Sequence, residues 1–267
     1  MALLICLLFS RIFKKPMNKE EQIRNRHFHD LANRAYNRGV PIFSEFLTLN
    51  EVSILKTIEK ELSYVKVQLW GGYEEAERQI AAFVPDAFFP TQDMYPISIL
   101  KISPLNVKFS EQLTHRDYLG AILNLGIQRG KVGDILVNDK ETYLFVSSSM
   151  VDLFTMELTR VKHTTVKTEP VTEAVRITPK FQHMEGSVSS ERIDAILSLA
   201  FQTSRSSIAP LIASEKVFVN GKITLSNSQI LKPGDIISAR GYGKFIYRGF
   251  ISNTKKGRMF VALDRYA

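Results

Sequence analysis

Between Glu191 and Arg240 the apolar period changes from helical to alternating, and no other stretch constrains the fold of this chain as tightly. Ile193, Ile196, Leu197 and Ala200 fall at i, i+3, i+4 and i+7, a spacing that sets one apolar stripe on an α-helix. A polar break follows at Gln202-Thr203-Ser204, in which Thr203 or Ser204 serves as an N-cap, and Ile208, Leu211 and Ile212 resume the helical spacing. The period then drops to two. Val217 and Val219 alternate with Lys216, Phe218 and Asn220, Asn220-Gly221 turns the chain, and Pro233-Gly234-Asp235 turns it again before Ile236-Ile237. Two short helices and a small β-hairpin form one compact unit.

Charge is concentrated in the same region. From Gly186 to Ala267 there are twelve Lys or Arg against five Asp or Glu, whereas the rest of the 267-residue chain carries 23 against 22. A nucleic acid offers closely spaced phosphates and releases counterions when these are neutralised, so a small basic domain fits such a partner. The plain alternative is a solvated, lysine-rich surface.

The order Arg192-Ile193-Asp194, Ser204-Arg205-Ser206, Val217-Phe218-Val219-Asn220-Gly221 and Lys232-Pro233-Gly234-Asp235 resembles the S4 RNA-binding domain over about fifty residues. The resemblance implies that Arg192 and Arg205 lie on one surface and contact RNA phosphates. Ser204 and Ser206 would donate from the N-terminal turn of the second helix, and Lys216, Asn220 and Lys222 would extend the surface along the hairpin. Asp194 would orient a neighbouring basic side chain. Two residues depart from the pattern. Glu215 replaces the usual Gly after the second helix, so a different helix end is expected, because a residue with a Cβ resists positive φ. Pro210 lies inside that helix and costs about 3 kcal/mol unless the helix starts late or kinks.

The first sixteen residues hold an apolar run, Ala2 to Phe9, too short to span a bilayer, with Arg11, Lys14 and Lys15 behind it where a signal peptide carries charge in front. Residues 1–16 are expected to be a mis-assigned start upstream of Met17, or disordered; a weak membrane-surface anchor is the alternative. Cys6 is the only cysteine, so no internal disulfide or thiolate zinc site can form, which suits a cytoplasmic protein. The five histidines show no metal-ligand spacing, and neither a metal nor a cofactor is expected.

Residues 17–84 read as mainly helical: Phe28, Leu31 and Ala32 are helically spaced, and a helix from Glu51 to Leu62 follows an Asn50 cap. Tyr64 to Leu69 reads as a strand. Trp70-Gly71-Gly72-Tyr73 lacks the Lys-Ser/Thr of a phosphate loop and is read as a turn into a helix over Glu74 to Arg78, with Tyr73 and Arg78 placed where they could touch RNA. In residues 85–170 a strand (Ile97–Ile102), a helix opened by Thr114, two strands around Asn138 to Glu141, a helix from Ser147 to Arg160 and a strand from Thr164 give the ferredoxin-like order βαββαβ of RRM-type RNA-binding domains. No RNP1 pattern is present. Residues 171–188, rich in Thr, Pro and Glu, read as a linker to an S4 domain at 189–267. The fold class is thus α+β: a helical N-terminal region, an RRM-like (ferredoxin-like βαββαβ) middle domain, and a C-terminal S4 domain of the αL type, helix-helix-hairpin.

Gly71-Gly72-Tyr73 with Ala76-Glu77-Arg78, then the run from His115 to Ile127 (HRDYLGAILNLGI), then Lys131 to Ile135 (KVGDI), together resemble the YlmH (RqcP) family from about Phe46 to Tyr266. That resemblance implies a monomeric, non-catalytic factor bound to the large ribosomal subunit. Its S4 domain would contact ribosomal RNA and tRNA in ribosome-associated quality control, supporting alanine tailing of stalled chains beside a tailing factor. Two other classes compete. An S4-containing RNA-modifying enzyme, a pseudouridine synthase or methyltransferase, lacks its signature motifs here. The His115-Arg116-Asp117 triplet is not a kinase loop either, because the required Asn position is Ile122 and no Gly-rich loop accompanies it. A protein-interaction module would use Phe83 to Phe89, although Pro85 and Pro90 mark that segment as an interdomain linker.

Overall fold

The first element among the described residues is a basic amphipathic helix. The computed structural model describes residues 19–86, 88–138, 141–171 and 180–266, so the doubtful start and residues 172–179 of the expected linker lie outside it. Helix α1 (Lys19–Arg38) buries Phe28, Leu31, Ala32 and Ala35, the i, i+3, i+4, i+7 stripe that holds it to the core. The apolar run after it is strand β1 (Ile42–Leu47). Helix α2 (Leu49–Ile58) is capped two residues earlier than expected, by Thr48 rather than Asn50: Thr48 N and Oγ1 donate to Glu51 Oε2 at 2.7 and 2.9 Å, and Glu51 N donates back to Thr48 Oγ1 at 3.3 Å. Strands β2 (Lys66–Trp70) and β3 (Gln79–Val84) complete an antiparallel sheet of order β1-β3-β2. The helices expected around Phe28 and from Glu51 are present, and this sheet stands beside them.

Residues 74–78 form no helix; the Gly71-Gly72 turn leads from β2 into β3. The backbone N–H groups of Glu77 and Arg78 donate to the Asp134 carboxylate at 2.8 and 3.2 Å, which holds the segment open across a neighbouring domain. Helix propensity in this short acidic run is outweighed by that tertiary contact.

The middle domain follows the expected plan. Strand β4 (Ile97–Pro104), helix α3 (His115–Asn124), strands β5 (Val132–Val137) and β6 (Thr142–Ser147), helix α4 (Val151–Glu157), the short β7 (Arg160–Val161) and β8 (Thr164–Pro170) form an antiparallel sheet of order β5-β6-β4-β8-β7. Helix α4 is shorter than expected, because a 3₁₀ turn at 148–150 precedes it and it ends before Leu158. The alternation along β6 separates the two faces. Leu144 and Val146 face the helices and pack with Ile122 and Phe154. Tyr143 and Phe145 face the other way and share a core with Phe46, Ile80, Ala82 and Val84 of the first sheet.

Two sheets therefore stack face to face. The face that RRM-type sheets offer to bases is covered here by the N-terminal domain. The approach is close: a Cβ on Gly72, whose φ is +99°, would lie 2.5 Å from Phe145 Cδ1. The segment at 83–89 is divided in use. Phe83 is fully buried, whereas Phe89 is 80% exposed with the Lys66 ammonium 5.3 Å from its ring.

Strand β9 (Phe181–Val188) lies in what the composition suggested was linker, and it pairs with the last strand from Phe181↔Tyr266 to Val188↔Met259. Its polar alternation suits an edge strand, and the neighbouring backbone supplies the register. Helices α5 (Ile193–Ala200) and α6 (Arg205–Ala213) follow, then β10 (Val217–Val219), β11 (Lys222–Ile223), β12 (Ile236–Ala239), β13 (Gly243–Asn253) and β14 (Met259–Tyr266), in a sheet of order β11-β10-β12-β13-β14-β9. Both helical stripes read from the sequence are in the core: Ile193, Ile196, Leu197, Ala200, Ile208 and Ile212 are fully buried. No helix among the described residues is long and apolar enough to cross a membrane.

Candidate nucleic-acid interface

The loop into α5 is fixed by the strand-like segment opposite it. Ile193 N donates to Gln229 O at 2.8 Å and Leu231 N to Glu191 O at 3.0 Å, with Arg192 bridged to Ile230 between them. This anchoring fixes the backbone of Arg192, the N-cap residue of α5. Its guanidinium donates from Nε and Nη2 to the two carboxylate oxygens of Asp194, at 3.2 and 3.1 Å. Asp194 is buried and also accepts from Ala195 N at 2.9 Å. Arg192 itself stays 41% exposed, so a fixed carboxylate aims a cation at solvent.

Arg205 opens α6. Its Nη2 donates to Ser189 Oγ at 2.6 Å, three residues before Arg192, so both arginines border one loop. Ser204 caps α6 by accepting from Ser207 N at 3.1 Å, and its hydroxyl lies 2.7 Å from that of Ser206. Ser206 is exposed at the same helix end.

The two expected irregularities resolve differently. Glu215 adopts φ +59°, the glycine-like conformation, and the expected change of helix end does not occur. Lys216 N donates to Leu211 O and Glu215 N to Ile212 O, the reciprocal pair of a Schellman ending, whose two hydrogen bonds offset the Cβ penalty. Helix α6 starts at Arg205 and continues through Pro210, which sits on the exposed side where the unmatched Ser206 carbonyl can meet water.

The hairpin residues divide. Lys216 is exposed, and its carbonyl accepts from Arg240 N at 2.9 Å. Arg240, whose guanidinium lies 5.2 Å from the Phe218 ring, joins this edge of the surface. Sequence reading missed it because only the β10–β12 pairing of Val217 with Ala239 brings it there. Asn220 is committed to its turn: Nδ2 donates to Asp235 at 2.8 Å and Oδ1 accepts from Ile236 N at 2.9 Å. Lys222 turns toward the N-terminal domain and pairs with Glu21 of α1 at 2.8 Å. The hairpin tip rests on that domain, since a Cβ on Gly221 would come within 2.6 Å of Asn50 N.

Tyr73 and Arg78 are structural rather than exposed. Tyr73 donates to Asp134 at 2.7 Å, and burial together with that carboxylate raises its pKa. Arg78 is buried and donates from Nε to Val132 O at 2.8 Å and from Nη2 to Phe46 O and Arg129 O, each at 3.0 Å. Arg129 is driven down to about 10 by burial and by the Arg78 charge. Lys244 of β13 pairs with Glu77, so all three domains meet at this motif. At the start of α3, Asp117 accepts from Thr114 N and Oγ1 at 2.9 and 2.7 Å; these bonds, with Lys162 at 3.0 Å, pull its carboxyl down to about 2. That is the work of a capping box.

Profile matches divide the chain in the same order. One described as "YlmH, N-terminal" covers residues 20–86, one described as "Putative RNA-binding domain in YlmH" covers 90–174, and an S4 domain covers 191–237. The chain belongs to the YlmH family. This YlmH-family chain is similar to "Ribosome-associated protein quality control protein P2" of Bacillus subtilis (strain 168), with 28% identity over 227 residues, 83% of this chain and 86% of that protein. It is also similar in fold to the solved structure "Cell division protein ylmH from Streptococcus pneumoniae", with a TM-score of 0.50 and 24% identity over 60% of this chain and 95% of that one. Strands β13 and β14 of the YlmH-family chain lie beyond its S4 match.

Proposed function

We propose that this chain is a non-catalytic, monomeric RNA-binding factor that associates with the large ribosomal subunit through its S4 domain. The observation that carries the reading is the loop at 189–192: Ser189 holds Arg205, and buried Asp194 holds Arg192, so two preset cations border one exposed surface. Ser204, Ser206 and Lys216 continue that surface, with Arg240 beside them. Asn220 and Lys222 serve the hairpin's own turn and its docking on α1.

The finer reading places ribosomal RNA and tRNA against this surface, on subunits carrying stalled chains, with the factor supporting alanine tailing by a partner on the same subunit. The name of the Bacillus subtilis relative supports the quality-control setting. An RNA-modifying enzyme gains no support from the His115-Arg116-Asp117 triplet, whose acid is engaged in capping.

Co-sedimentation of the full chain with large ribosomal subunits across a salt series tests this reading. Pelleting should fall steeply with salt, because the contacts neutralise phosphates. Pelleting that survives high salt, or none at low salt, overturns it.

A further inference from the structure

Past its last pairing with β12 at Ile246, strand β13 continues beside β14, which β9 flanks along its whole length, and the β13–β14 turn closes this end of the C-terminal sheet. Pairing continues to Asn253↔Met259, while Phe250 and Ile251 are 44% and 47% exposed. From Gly243 to Leu263 the sequence holds Lys244, Arg248, Lys255, Lys256 and Arg258 and no acid. Lys244 and Arg248 are already paired, with Glu77 and Asp264. The other three are at the tip. Among the described residues no carboxylate pairs with Lys255, Lys256 or Arg258, and Glu185, on the adjacent strand β9, is engaged by His183 at 3.2 Å.

The tip has a defined shape. Thr254 N donates to Arg258 O at 2.7 Å, Gly257 N to Thr254 O at 2.9 Å, and Arg258 N to Thr254 Oγ1 at 3.0 Å. It is also joined to the arginine loop. Arg258 Nη2 donates to Ser187 O at 2.8 Å, and two residues further along the same chain Ser189 accepts from Arg205. The pairing of Met259 with Val188 fixes this neighbourhood. Basic side chains thus run from the tip, along the end of β9, to Arg205 and toward Arg192, which Asp194 holds.

We propose that the β13–β14 tip is a second RNA-contacting element: Lys255, Lys256 and Arg258 neutralise phosphates, and the exposed Phe250 ring stacks on an unpaired base of the same RNA. This rests on the RNA-binding reading above and extends it to residues outside the S4 match. Phosphate contacts position the strand, and a base–aromatic contact suits the splayed loops in which RNA exposes its bases. An acidic protein could also meet three cations, but continuity with the Arg205–Arg192 loop favours one polyanion crossing both.

The test measures binding of the full chain to deproteinised large-subunit ribosomal RNA over a salt series, comparing wild type, K255A/K256A/R258A and F250A. All four positions are exposed, so melting temperatures should match wild type. The triple variant should bind more weakly at low salt and reduce the slope of log affinity against log salt by roughly 2 to 3, one increment per lost phosphate contact. F250A should weaken binding several-fold without changing the slope. An unchanged slope and affinity in the triple variant, with wild type binding normally, overturns the tip assignment and leaves the S4 reading standing; it would also redirect the tip toward an acidic protein. Absence of RNA binding by wild type overturns both.

Discussion

Arg205 Nη2 donates to Ser189 Oγ at 2.6 Å, joining the first residue of α6 to the loop that carries Arg192. The bond is exposed and neutral on one side, so its contribution to stability is small. Its consequence is geometric: two arginines from different helices are held beside one stretch of backbone. A surface preset in this way loses less side-chain freedom on meeting phosphates than two free arginines would.

Asp134 should matter to stability far more than any residue of the RNA surface. Its carboxylate accepts from Tyr73 Oη, Glu77 N and Arg78 N, and burial raises its pKa. Asp134→Ala would strand those donors and remove the counter-charge near buried Arg78, at a cost on the order of 3 kcal/mol. Urea denaturation measures this. A loss below about 0.5 kcal/mol would show that the three-domain junction is not held through this carboxylate.

Phe145 offers a sharper contrast. On an open RRM-type sheet such an aromatic would stack on RNA, and its removal would weaken binding while sparing stability. Here it is fully buried, 5.0 Å from the Tyr73 ring. Phe145→Ala should cost about 3 to 5 kcal/mol. The folded fraction should bind RNA with wild-type affinity; weakened RNA binding with unchanged stability would mean that the sheet face is open in solution.

Glu215→Gly should stabilise the chain. Glu215 holds φ +59°, where a Cβ is penalised, and glycine removes that penalty at some cost in chain entropy. A net gain of roughly 0.5 to 1 kcal/mol is expected in thermal or chemical denaturation. A loss would indicate that the Glu215 side chain makes a stabilising contact of its own.

Two histidines should titrate on opposite sides of 6.5. His183 is raised by hydrogen bonds to Asp264 at 2.7 Å and Glu185 at 3.2 Å, whereas His115 is lowered by burial and by Arg129 and Lys244. The sign for stability follows from linkage: the raised His183 favours folding below its unfolded value, and that contribution is lost as pH rises through the folded one. His115, lowered, disfavours the fold as pH falls from its unfolded value through its lower folded one. NMR titration resolves both, and Asp264→Asn should bring His183 back toward 6.5 while leaving His115 unmoved.

Local periodicity carried much of the fold into the sequence. The stripes of α1, α5 and α6 were legible because each buries residues spaced by 3.6, and the βαββαβ order was legible because its turns and helix caps are local. What stayed hidden depends on distant partners. The Glu74 to Arg78 segment avoids a helix because Asp134 takes its N–H groups, and β9 is a strand because β14 offers it a backbone edge. The same division holds at the candidate site. Arg192, Asp194 and Arg205 were readable from a motif, but the diversion of Lys222 to Glu21 and the arrival of Arg240 beside Lys216 are set by docking and strand pairing.

The central claim is that Arg192 and Arg205 form the principal RNA grip, and the Arg192→Ala/Arg205→Ala double variant tests it most directly. Arg205 is exposed and Arg192 half-exposed, so the variant should stay folded, with a lowered melting temperature from the unpaired Asp194 carboxylate. Co-sedimentation with large ribosomal subunits at moderate salt should be lost. Retention of wild-type pelleting by a folded double variant would contradict the account.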